Sequence, residues 1–125
     1  MLRQVLHSKI HRACVTGAFP EYVGSITIDE DILDATGMRV SDQVVVANCR
    51  EGSRVETYIF RGARGSRKIE INGAAAHLFE IGDPVIIMHY ALMDEREYAE
   101  HFPKVAIMRP DNTIERVMRY EPSGR

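Results

Sequence analysis

The chain has no excess of either charge. Its 16 Lys and Arg stand against 18 Asp and Glu, a formal net of −2, and the basic residues are scattered rather than clustered. That excludes the footprint of a protein built for phosphate backbones, so no nucleic acid is expected as a partner. No apolar run approaches the roughly 20 residues of a membrane-spanning helix, and no membrane is expected as a partner either. The opening MLRQVLHSKIHR lacks the uninterrupted apolar core of a secretory signal. The only two cysteines, Cys14 and Cys49, are far apart and outside any CxxC pairing. They read as reduced thiols in a cytoplasmic protein. Metal ligands are short as well. His7 and His11 have i, i+4 spacing, which serves a metal only on a helix, and no third ligand stands nearby. No metal is expected.

What is there fits one compact domain of 125 residues. Short β-type runs dominate. KIHRACVT (9–16) alternates loosely and predicts a strand with Lys9, His11, Ala13 and Val15 on one face. The same alternation sends Cys14 and His11 to opposite faces and argues against a nucleophilic pair. SITI (25–28) is a short strand, and DEDILDATG (29–37) a brief helix with acids in its first turn and Gly37 at its C-cap. QVVVANC (43–49) and RVETYIF (54–60) read as a hairpin closed by Arg50–Ser53. RKIEI (67–71) is a strand, and NGAAAHLF (72–79) a turn opening a short helix. VIIMHYAL (85–92) is almost wholly apolar and predicts a strand through the core, DEREYAEH (94–101) a surface helix, and 105–108 with 114–118 a last hairpin. The tail EPSGR (121–125) is polar and reads as frayed. Such a pattern implies a small barrel or an α+β domain.

Three segments carry candidate chemistry. EYVGSITID (21–29) places Gly24-Ser25 where a strand is about to begin, although Gly-Ser occurs twice more, at 52–53 and 65–66. In NGAAAH, a Gly followed by three Ala either lets backbone approach a ligand closely or forms an ordinary turn. In RVETYIF, Arg54, Glu56 and Tyr58 share one strand face, with Val55, Thr57 and Ile59 on the other. Arg offers bidentate carboxylate recognition and Tyr a transferable proton.

Taken together, SKIHRA (8–13), YVGSITID (22–29), ETYIF (56–60), RGS (64–66), INGAAAH (71–77) and GDPVIIMHY (82–90) resemble the pyruvoyl-dependent aspartate 1-decarboxylases. These enzymes make β-alanine for pantothenate. The resemblance implies a mainly β fold, a six-stranded double-psi β-barrel with a few short helices. It implies a homotetramer with its sites between subunits, and L-aspartate as substrate. Some family members need a helper protein, so a maturation factor is a further expected partner.

The resemblance also singles out Gly24-Ser25. Ser25 Oγ attacks the Gly24 carbonyl, the chain parts into 1–24 and 25–125, and Ser25 becomes a covalent pyruvoyl group. Thr57 and Asn72 match positions used in that processing. In turnover the substrate amine forms a Schiff base with the pyruvoyl, with neither metal nor pyridoxal phosphate. Tyr58 matches the proton donor. Lys9 and Arg54 match the carboxylate holders, with His11, Thr57, Gly73, Ala74 and Ala75 also lining the site. Strict alternation separates Thr57 from Tyr58, so a shared site demands a twist or bulge there. Two other classes stay open on the residues: a non-catalytic barrel module, and a pyruvoyl decarboxylase for another amino acid.

Overall fold

A computed structural model of the chain describes residues 1–122. Nine strands, two α-helices and one 3-10 helix follow in the order β1 (Arg3–Cys14), β2 (Gly17–Phe19), β3 (Ser25–Asp29), α1 (Glu30–Thr36), β4 (Gln43–Asn48), β5 (Arg54–Gly62), β6 (Ile69–Asn72), the 3-10 helix (Ala74–Leu78), β7 (Pro84–Met93), α2 (Glu95–Glu100), β8 (Lys104–Met108) and β9 (Ile114–Arg119). The polar-tail expectation falls partly on residues 123–125, outside the described residues.

The strands form one mixed sheet in the order β2-β6-β3-β5-β4-β7-β1-β8-β9. β2 opens that order and β1 stands near its end, yet only Val15 and Thr16 separate them in the chain. Val15 N–H donates to Asp83 O at 2.9 Å, and Thr16 N–H to Ile69 O at 2.8 Å. The chain thus passes from the β7 edge to the β6 edge and closes a barrel. Counting β1 with β2 as one bent strand, the ring has the expected six members. The β8–β9 hairpin is an addition outside the ring, joined to β1 by parallel pairing.

Alternation fixes the inside of that ring. Ile26 and Ile28 of β3, Ile59 of β5, and Ile69 and Ile71 of β6 are all buried in the core. Each such burial contributes about 1.5–3 kcal/mol, so the residues between them must face outward. α1 closes one end of the core with Ile32, Leu33 and Thr36. Its start is capped by Asp29, whose carboxylate accepts from the N–H of Asp31 at 2.8 Å and also from those of Gly65 (3.0 Å) and Arg67 (2.8 Å). Gly37, at φ 80°, ends it as expected.

Two expectations need correction. β1 starts six residues earlier than the alternation indicates and carries two irregularities, between Leu6 and Ser8 and between His11 and Ala13. At the second, Arg12 adopts φ 61° as a bulged residue. That extra residue flips the strand, so Lys9 and His11 face outward while Ala13 and Val15 are fully buried. Cys14 consequently returns to the His11 side, where its Sγ donates to the Val15 carbonyl at 3.8 Å. Strand β7 does not run through the core along its length: Val85 and Ile87 are buried, but Leu92 is exposed. The Ala-rich segment does form the short helix expected there, a five-residue 3-10 helix over Ala74–Leu78.

Candidate active site

The β6-β3-β5 wall turns its isoleucines inward and a row of polar residues outward. Antiparallel register sets Ser25 opposite Asn72 and Thr27 opposite Glu70. Parallel register sets Ile26 beside Ile59, which brings Tyr58 alongside Ser25. Ser25, Thr27, Tyr58, Glu70 and Asn72 line a cleft of about 470 Å³ in the outer wall. Ser25 is only 5% exposed. Asn72 Nδ2 donates to Ser25 Oγ at 3.0 Å and to Thr27 Oγ1 at 3.1 Å. One amide nitrogen has two protons, so it serves both hydroxyls, and each hydroxyl keeps its own proton to give away.

The approach to Ser25 is built by close backbone contact. Tyr22 N–H donates to Phe19 O at 3.2 Å, closing a turn with Pro20 at its second position, where the ring's fixed φ suits it. Gly73 sits at φ 83°, and a Cβ there would lie 2.5 Å from Gly24 Cα and 2.9 Å from Gly24 N. Only glycine satisfies both the angle and that contact. Gly24 itself has no left-handed φ; the left-handed residue is Gly73, across from it. Gly73 N–H donates to Phe19 O at 2.9 Å, which fixes the start of the Ala74–Leu78 turn. The far end of that turn is tied by Asn48 Nδ2, which donates to Leu78 O and to the Asp83 carboxylate.

The other predicted residues lie on the same outer surface but elsewhere. Pairing runs Lys9–Met88–Val45–Glu56 and His11–Ile86–Ala47–Arg54 across β1, β7, β4 and β5. Three inter-strand steps of ~4.8 Å put Lys9 roughly 14 Å round the wall from the strand of Tyr58. Arg54 lies four residues from Tyr58 along β5, on the same face. Thr57 points to the opposite face, paired with buried Val44, and does not line the cleft. The hydroxyl that Asn72 reaches besides that of Ser25 belongs to Thr27, a residue the sequence reading missed. Counting two from Ser25 along the strand would have found it.

The Lys9 region is electrically unlike the serine cleft. Among the described residues, Lys9, His11, Arg12 and Arg54 have no carboxylate partner. Partial burial, then Lys9 and Arg12, hold the His11 imidazole below its usual pKa. A larger cleft of about 660 Å³, between Leu6, Tyr98 and Pro122, contains none of the predicted residues. Among the described residues no group of three potential ligands is arranged for a metal, and no helix is long and apolar enough to cross a membrane. Cys14 and Cys49 are unpaired thiols.

A buried serine gripped by a carboxamide, with a phenol lining the same cleft, gives the wall of this small β-barrel the groups of a candidate active site. The aspartate decarboxylase family model matches residues 1–115, and the chain belongs to that family. It is 52% identical to the aspartate 1-decarboxylase of Exiguobacterium sibiricum, over 97% of this chain and 95% of that one. It is 50% identical to the aspartate 1-decarboxylase of Bacillus subtilis, over 98% and 97%. Among solved structures, the computationally designed protein msDPBB_sym2 aligns at TM-score 0.43 and 19% identity, over 70% of this chain and 99% of that one. The barrel assignment rests on strand pairing alone.

Proposed function

We propose that the chain is a proenzyme that cuts itself between Gly24 and Ser25 and then removes the α-carboxylate of L-aspartate, giving β-alanine and CO₂ for pantothenate. The observation that carries this reading is the Asn72–Ser25 hydrogen bond behind the Gly24–Gly73 contact, in a member of the aspartate decarboxylase family. Ser25 Oγ attacks the Gly24 carbonyl carbon, and the amide becomes an ester. Asn72, which donates to Ser25 Oγ and to Thr27 Oγ1, and the Thr27 hydroxyl are candidate donors for charge that develops there. Elimination breaks the Ser25 Cβ–Oγ bond and leaves Gly24 as a carboxylate. Water then replaces the residue-25 nitrogen, which departs as ammonia.

A pyruvoyl group at position 25 fits the residues present: the parent side chain is small, buried and faces the cleft, and Asn72 stands ready to donate to it. Once made, it supplies a covalent electron sink for the pair that departing CO₂ leaves behind. The Tyr58 hydroxyl donates a proton to the substrate carbon that has lost its carboxylate. Lys9 and Arg54 hold the substrate carboxylates with charges that no side chain among the described residues neutralises, and His11 lines the same site. Gly73, Ala74 and Ala75 give close backbone contacts. A role for Thr57 in processing or binding rests on family resemblance and draws no support from its placement. Metal and pyridoxal phosphate have no step to perform.

Because Lys9 and Tyr58 are separated round one barrel, the reading includes a homotetramer whose sites combine neighbouring subunits. Exposed Tyr22, Val23 and Phe60 around the cleft suit such an interface. The enzyme works in the cytoplasm, and a maturation factor is a candidate partner for the cleavage step. Denaturing mass spectrometry of warmed protein should find fragments 1–24 and 25–125. Ser25→Ala should fold and stay whole. Aspartate with a hydride reductant should label fragment 25–125. Persistently whole parental chain would overturn the reading.

A further inference from the structure

We infer that Tyr120 is a positioning residue for Lys9, holding its ammonium where a substrate carboxylate arrives. The inference rests on the reading above, which makes Lys9 a carboxylate holder. Lys9 Nζ lies 5.2 Å from the centroid of the Tyr120 ring, inside the ~6 Å within which an aromatic face attracts a cation. No carboxylate among the described residues pairs with Lys9, and the neighbouring His11 feels the positive charge of both Lys9 and Arg12. A lysine stem has four rotatable carbons and settles only where something attracts its head. A carboxylate in that place would neutralise the ammonium and compete with the substrate. A neutral ring face steers it and leaves its charge available.

The ring is itself held in place. Lys9 pairs with Val105 on β8, and Val105 with Met118 on β9. Tyr120 follows Met118 by two residues and so returns to the Lys9 face. Its N–H donates to Pro103 O at 2.8 Å. Next to it, the Arg119 guanidinium stacks 3.6 Å from the Phe102 ring centroid. The hairpin outside the barrel ring thus delivers one aromatic face to β1. Tyr120 lies beyond residue 115, where the family match ends.

The test is steady-state kinetics on fully cleaved protein carrying Tyr120→Leu, Tyr120→Phe or Lys9→Ala. Tyr120→Leu should raise KM for aspartate roughly two- to fivefold, the loss of one exposed cation–π contact, with kcat and cleavage little changed. Tyr120→Phe keeps the ring face and should match the parent. In a Lys9→Ala background, Tyr120→Leu should add nothing, because the contact is already gone. An unchanged KM in Tyr120→Leu, beside a raised KM in Lys9→Ala, overturns the inference and leaves the role of Lys9 intact. Equal damage from Phe and Leu overturns it too. An unchanged KM in Lys9→Ala removes Lys9 from substrate binding and takes the inference with it.

Discussion

The serine cleft and the Lys9 surface lie on one barrel wall but are built in opposite ways. In direct contact with Ser25 the groups are neutral and bonded to one another, Asn72 to two hydroxyls and Gly73 against Gly24, while the charges farther along the cleft include the Lys68–Glu70 pair, 3.9 Å apart. On β1 and at the start of β5 the groups are cationic, without carboxylate partners and partly open to solvent. The first arrangement is complete within one chain and suits a reaction of the chain upon itself. The second awaits an anion from outside. On the proposed reading, the difference separates maturation, which needs fixed geometry, from substrate capture, which needs unspent charge.

Removing the hydroxyl of Tyr58 gives the largest expected effect on this division. Tyr58→Phe should be cut between Gly24 and Ser25 at the parental rate, while β-alanine production falls by about 10²–10⁴-fold, as for loss of a general acid. A slowed cut, read by gel, would join Tyr58 to the maturation half. Mixed assemblies come next. Co-expressed Lys9→Ala and Tyr58→Phe chains, each strongly impaired alone at low aspartate, should recover roughly a quarter of parental activity there if each site draws one residue from each neighbour. Verified mixed tetramers without activity would place both residues on one chain.

The smallest effect tests how firmly the neutral region is held. Arg50, then the Glu80 N–H and Asn48, hold the Asp83 carboxyl at about 2, below its ordinary 3.8, against the opposing effect of burial. A lowered folded-state pKa stabilises above the ordinary value and loses that contribution as pH falls toward the folded one. Stability supplied by Asp83 is therefore full above about pH 4 and lost on going to about pH 2. Arg50 is 44% exposed, which screens the pair. Asp83→Asn should lower Tm by a few degrees at pH 7 and flatten the acid limb of thermal unfolding. Unchanged Tm values across that range would mean the carboxylate is dispensable for anchoring the Ala74–Leu78 turn.

Local chemistry made part of this legible. Acids ahead of Ile32 and a glycine at 37 marked α1, and alternation in RVETYIF correctly parted Thr57 from Tyr58. The Gly24-Ser25 step stood out only through resemblance, since the dipeptide recurs. Other features have no local signature. The Arg12 bulge adds one residue to a pattern of period two, so every inference drawn across it inverts. The contact of Gly73 with Gly24 joins segments 49 residues apart, and ring closure at Thr16 depends on Ile69. Thr27 was hidden differently, within an apolar run whose outward side holds the site.

Ring closure has a further consequence for the proposed mature protein. The piece that cleavage releases includes β1 and β2, the strand that shuts the barrel, and β1 remains paired with both β7 and β8. A single cut therefore ends the covalent link without removing a member of the ring. Before it, the barrel can refold as one molecule, at a rate indifferent to dilution. Afterwards a denatured sample must bring two separate peptides together, so recovery becomes second order and falters at low concentration. The proposed cut would thus exchange a fold that one chain can rebuild for one that two peptides must find again.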